Sequence, residues 1–220
     1  MRFLSSLLVV AILSACATTT DDTSDPVDDT SSAYTGPIPD MIGTTAPADA
    51  VASWNQPDSE GYFDQYGYCG ATAAANLLRW YGSETSPRDA IDNGCWSYIG
   101  TRAPTLAAYL KKAHPELGCQ YKTLGFYDDA FATLRHALES GHPVVLEFMT
   151  GKLNAHWVTA IGIQSADHDP KIVVMSWGGY YTLEWSKLQD AWRRAWGGYY
   201  PYIACDATIA NASALHVTAE

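Results

Sequence analysis

The sequence is short of positive charge. Lys and Arg number 13 in 220 residues against 24 Asp and Glu, a formal net charge of −11. Such a chain lacks the clustered Lys and Arg that grip phosphate backbones, which argues against a nucleic-acid binder. Charge of either sign is sparse at 17%, while apolar residues reach 47% and aromatics 12%. That composition excludes a collagen-like or largely disordered chain and suffices for a real core. Long hydrophobic runs are also missing. Past the N-terminus no stretch reaches the roughly eighteen apolar residues that mark a spanning helix. One main domain is the default for this length.

The first sixteen residues read as an address. Arg2 supplies a positive start and Leu4 to Leu13 a short apolar stretch, too short to span a membrane. It ends in Leu13-Ser14-Ala15-Cys16, which resembles the lipobox of bacterial lipoproteins. The resemblance implies that Cys16 is lipidated and becomes the mature N-terminus. Ala at position 17, where Asp would retain the protein, implies transfer to the outer membrane, facing the periplasm or the outside. The lipid would be the only membrane attachment. Export also places the other cysteines in a disulfide-permissive compartment. Residues 17–50 are rich in Thr, Ser, Pro and Ala, with seven Asp and no Lys or Arg. Such a segment buries too little apolar area to offset its ordering entropy and is expected as a disordered spacer. A domain is expected over residues 51–209, followed by a tail over 210–220.

Within the domain, Cys69 to Tyr81 is Ala- and Leu-rich, helical in propensity and stopped by Gly82. Thr105 to Ala113 and Asp128 to Ser140 also read as helices, the latter ended by Gly141. Four strand-like runs follow: Pro143 to Met149, His156 to Ile163, Lys171 to Trp177 and Tyr180 to Trp185. Ser186 is expected to cap a last helix, Lys187 to Trp196. Helices first and antiparallel strands second is an α+β layout. Trp177-Gly178-Gly179-Tyr180-Tyr181 is echoed at residues 196–200. The echo reads as two glycine turns among core aromatics, or as an aromatic wall beside a cleft.

Cys69 stands apart from the other cysteines because it opens a helix. Unpaired amides and the helix dipole favour a thiolate there, and a thiolate is a nucleophile. His156, opening a strand, is the best candidate base. A Cys at a helix start with a His at a strand edge is the arrangement of papain-like hydrolases.

The blocks QYGYCGATAAANLLRWYG (65–82) and LRHALESGHPVVLEFMTGKLNAHWVTAIGI (134–163) resemble the double-glycine-leader peptidase branch of the papain-like cysteine peptidases. IVVMSWGG resembles the segment that carries that branch's third catalytic residue. The likeness covers roughly residues 54–196. It implies a nucleophile helix packed on an antiparallel sheet, Cys69 as nucleophile and His156 as general base. Gln65 would be the oxyanion-stabilising glutamine, joined by the Cys69 backbone N–H. The chain departs from the pattern twice. Gln65 stands four positions before the Cys where six is usual, and Gln56 is too far upstream. The orienting Asn or Asp falls on Met175, whose thioether is a poor acceptor. Ser176, Asn154 or a backbone carbonyl is left for that role, with Ser176 the third-residue candidate.

The expectation is an exported, lipid-anchored cysteine hydrolase, peptidase-like, acting on a peptide or peptide-like amide. It needs no cofactor or metal and is expected to work as a monomer. A second reading is a catalytically degenerate lipoprotein that kept the fold and binds peptide or glycan. A third is that Cys69 is disulfide-bonded and structural. The expected bridge is Cys95–Cys119, with Cys205 left over or pairing with one of them. His114, His136, His142, His168 and His216 lack metal-ligand spacing.

Overall fold

The computed structural model describes residues 41, 68–96, 100–125, 127–150, 155–165, 168–176, 178–195 and 199–207. Cys16, Gln65 and the expected tail lie outside the described residues, as does the expected spacer apart from Met41. Helix α1 (Cys69–Trp80) is buried at every position except Arg79. An apolar helix of this kind belongs inside a layered fold. Helix α2 (Pro87–Ala90) is short and set by a capping box. The Ser86 side chain accepts from the Asp89 N–H, and Asp89 accepts from the Ser86 N–H. One wide (π) turn, Ile91–Cys95, leads on, with Gly94 at φ 93°. Then come α3 (Ala103–Ala113), a 3-10 turn (Pro115–Leu117), β1 (Gln120–Leu124) and α4 (Ala130–Glu139). Asp129 caps α4 by accepting from the Ala132 N–H at 2.9 Å. The chain ends with β2 (Val144–Met149), β3 (Ala155–Ser165), β4 (Lys171–Ser176), β5 (Gly179–Glu184), α5 (Trp185–Arg194) and β6 (Tyr200–Ala204).

The six strands form one sheet in the order β1-β6-β2-β3-β4-β5, every neighbouring pair antiparallel. Strand alternation sends successive side chains to opposite faces. Val145, Trp157 and Ile203 join Leu77 of α1 and Leu106 and Leu110 of α3 in one core. Leu146, Val158 and Val174 join Leu134 and Leu138 of α4 and Leu188 and Trp192 of α5 in the other. The sheet is thus a middle layer between two helical layers. Each large side chain it buries contributes roughly 1.5–3 kcal/mol. A smaller third cluster groups Trp80, Ile161, Val173, Met175 and Tyr180, and Met41 packs against it.

The expected Cys95–Cys119 bridge is corrected, and the alternative in which Cys205 pairs with one of them holds. Cys119 pairs with Cys205, and Cys95 is a buried free thiol. Register explains the pairing. Gln120 faces Ala204 across β1 and β6, so the residues just beyond each come together at a Cα separation of 3.9 Å. Cys95 lies in the α1/α3 core, where burial pushes its thiol pKa up and keeps it protonated. Ser186 does not cap α5. It lies inside the helix, and its N–H and hydroxyl both donate to Asp169.

Candidate active site

The site starts at the head of α1. Tyr68 is the N-cap with no side-chain cap bond, and no acid lies in the first turn. Nothing on the helix itself therefore opposes a negative charge at Cys69. Cys69 is buried, and its sulfur is engaged in a disulfide in this structure. In this form it is not a thiolate, and nucleophilic chemistry at Cys69 belongs to the reduced protein.

His156 is the second residue of β3 and is 6% exposed. Its Nε2 lies 2.9 Å from Ser176 Oγ on β4, and Ser176 is buried as well. The imidazole stands edge-on to Phe148, its register partner on β2, with centroids 5.9 Å apart. Burial strips water from the ring and pulls its pKa down to about 3, so the imidazole is neutral at pH 7.

Two hydrogen bonds and one close approach fix how α1 lies on β3. Thr159 Oγ1 donates to the Ala73 carbonyl at 2.7 Å. Three residues from His156 on the strand thus meet four residues from Cys69 on the helix. Nearer the strand's start, the Trp157 indole donates to the Thr101 carbonyl at 3.1 Å. The Thr101 side chain fills the space where a Cβ on Gly70 would stand. Only glycine permits that approach. The two elements therefore run the same way and open at the same end of the layers, but strand alternation puts the His156 side chain with Phe148 on the α4/α5 face, opposite the face that Trp157 and Thr159 turn to α1.

The structure brings His156 and Ser176 together. Met175, at the expected orienting position, is fully buried with Trp80 and Tyr180 on the α1 side. Asn154 and Trp177 lie outside the described residues, as do Gln65 and Gln56. Sequence reasoning missed a buried acid beside Trp157 and an aromatic at the α1 head. Glu147, 1% exposed, sits opposite Trp157 in register. An acid inside an otherwise apolar strand run was the available signal. Trp96 packs against Tyr68 with ring centroids 5.5 Å apart. Among the described residues, no group of three or more His, Cys, Asp or Glu is gathered as metal ligands would be.

No curated protein matches the chain. Among solved structures it is similar to the peptidase domain of Streptococcus ComA, a bifunctional ABC transporter involved in a quorum-sensing pathway. That match has 18% identity over 71% of this chain and 99% of that one, with a TM-score of 0.49. A double-glycine-motif protease from an AMS/PCAT transporter, solved in complex with its leader peptide, matches at 13% identity. It covers 80% of this chain and 98% of that one, with a TM-score of 0.44. The Peptidase_C39-like family model matches residues 48–199, more than half of the chain. The chain therefore belongs to the Peptidase_C39-like family, a branch of the papain-like cysteine peptidases.

Proposed function

We propose that this protein is a cysteine peptidase whose reduced form uses Cys69 and His156 on a peptide or peptide-like amide. The observation that carries the reading is the shared end at which α1 and β3 open, set by the Thr159–Ala73 and Trp157–Thr101 bonds. With Nε2–H donating to Ser176 Oγ, Nδ1 takes the Cys69 thiol proton as the thiolate forms, and that new negative charge offsets the burial that otherwise keeps the imidazole neutral. The thiolate adds to the scissile carbonyl, and the Cys69 N–H and Gln65 amide stabilise the oxyanion. His156 then protonates the leaving amine. Water, deprotonated by the same imidazole, hydrolyses the thioester and restores the thiol. Cys16 carries the lipid; with Cys95 free and Cys119 bound to Cys205, that leaves no cysteine to pair with Cys69, so the lipidated form holds Cys69 as the thiol the reaction needs. The domain works outside the inner membrane at the end of its spacer.

The test begins with mass spectrometry of the purified protein after iodoacetamide, with and without dithiothreitol. Alkylation of Cys69 without reductant in the lipidated protein, with peptide hydrolysis that is lost in Cys69→Ala, supports the proposal. Hydrolysis that persists in Cys69→Ala would falsify it. Incorporation of a palmitate analogue, lost in Cys16→Ser, tests the anchor.

A second reading has specific support. The apolar Met175 at the aligned orienting position suits a binding protein that kept the fold and lost the chemistry. Full reduction without Cys69-dependent hydrolysis, together with retained peptide binding, would favour it.

A further inference from the structure

Past the far end of α1 a cleft of about 570 Å³ opens between the turn into α2 and the last turn of α3. That volume lies within the range of small-molecule sites. The 12 residues of α1 separate it from Cys69 by about 18 Å, so it is not part of the candidate active site. Tyr109 of α3 lies at its base, 5% exposed among the residues of the α1/α3 core. The Tyr109 hydroxyl has no hydrogen-bond partner among the described residues, yet it is not sealed from solvent. It therefore opens into the cleft. The other buried tyrosine of this core, Tyr81, donates to the Ala207 carbonyl at 3.0 Å. Burial, with Cys95 and Asp89 adding to it, raises the Tyr109 pKa to about 12. The phenol stays neutral, able both to donate and to accept.

The walls of the cleft carry opposite charges. Glu84 and Asp89 stand on the α2 side. Asp89 Oδ2 accepts from the Ser86 hydroxyl at 2.6 Å and from the Ser86 N–H at 3.0 Å. Both bonds pull the carboxyl pKa down, and they leave Oδ1 for another donor. Asn93 donates to the Asp89 carbonyl at 2.8 Å, which leaves its own side-chain oxygen as an acceptor. Lys112 and His114 stand on the α3 side. Lys112 is exposed and forms no salt bridge among the described residues. Acids and a lysine thus line one cleft without neutralising each other. A ligand with an ammonium at one end and a carboxylate at the other pairs with both walls. A ligand of a single sign is repelled by one of them.

We propose that this cleft is a binding site for a short peptide with both termini uncapped. The ammonium of the peptide pairs with Glu84 and Asp89 Oδ1 and its carboxylate with Lys112, while the Tyr109 hydroxyl hydrogen-bonds a peptide group between them. The site is separate from Cys69, and its existence does not depend on the peptidase reading. Under that reading the ligand is of the class that hydrolysis itself releases, since each amide cleaved leaves a new carboxylate and a new ammonium.

The experiment uses the full chain carrying Cys69→Ala, so that no peptide is consumed and the outcome is independent of catalysis. The probe is trialanine, compared with N-acetyl-trialanine and with trialanine amide. Ligand-observed NMR titrations give a Kd for each, in this background and with Lys112→Met, Glu84→Gln or Tyr109→Phe added. The expected result is saturable binding of trialanine, weakened about tenfold or more by capping either end. Lys112→Met should bind trialanine and its amide alike, because the partner of the carboxylate is gone. Glu84→Gln should narrow the difference between trialanine and its acetylated form. Tyr109→Phe, which keeps the ring and removes the hydroxyl, should weaken all three peptides together. Lys112 and Glu84 are exposed, so their variants decide the matter even if Tyr109→Phe fails to fold. Absence of saturable binding overturns the inference. So does binding that ignores both caps, or that stays unchanged in Lys112→Met and Glu84→Gln. Each of these outcomes leaves the peptidase reading standing, since that reading is tested by Cys69-dependent hydrolysis alone.

Discussion

His156 Nε2 and Ser176 Oγ lie 2.9 Å apart, and both residues are buried. A hydroxyl can orient the imidazole without adding charge, which is a weaker arrangement than a carboxylate or amide in that place. Ser176→Ala should lower kcat for peptide hydrolysis roughly tenfold or more, with less effect on KM. A variant with unchanged kcat would remove Ser176 from the mechanism.

The neutral burial of His156 makes stability depend on pH. Its folded pKa, about 3, lies below the roughly 6.5 of an unfolded histidine. Above about pH 6.5 neither state binds the proton, and the contribution is fully present. Between about 6.5 and 3 only the unfolded chain binds it, so stability falls by up to about 1.4 kcal/mol per pH unit. Urea midpoints from pH 8 to 4 should show this fall, and His156→Gln should flatten it.

Restoring the family's amide at the aligned position should fail. Met175 is fully enclosed among Trp80, Ile161, Val173 and Tyr180. Met175→Asn would bury an unsatisfied amide and open a packing defect, at a cost of about 3 kcal/mol. Chemical denaturation should record that loss with no gain in kcat. The amide belongs at 176, where the side chain reaches His156, and Ser176→Asn is the variant that should preserve hydrolysis.

The Cys119–Cys205 bridge closes a loop of 86 residues in sequence separation. Replacing both cysteines with Ser should lower stability by roughly 4 kcal/mol. Cys95→Ser should cost less, since that thiol has no bond to lose, only its apolar surroundings. Denaturation of the two variants side by side checks the ranking.

Much of the fold was legible where a segment carried its own periodicity. The helix expected from Cys69 to Tyr81 is α1, and the four strand-like runs are β2 to β5 within two residues at each end. β1 and β6 were not foreseen. β1 exposes much of its length and contains Lys122, while β6 carries Pro201, which cannot donate to a ladder. Their pairing with each other, not their composition, makes them strands. The capping box at Ser86 and Asp89 was present in the sequence but brackets too short a helix to stand out. At the site, Cys69 and His156 were legible as chemistry at element starts. The roles of Ser176 and Met175 depend on which face of β4 each occupies, and that follows from register with β3.

The placement of β6 constrains when this protein can become itself. β6, the last strand in chain order among the described residues, is inserted between β1 and β2, and β1 has its sheet partner only in β6 there. A nascent chain emerging N-terminus first lacks the middle of its sheet until β6 has emerged. The sheet therefore closes only once every other described strand is already available. Truncation before residue 200 should yield insoluble or rapidly degraded material rather than a smaller working protein.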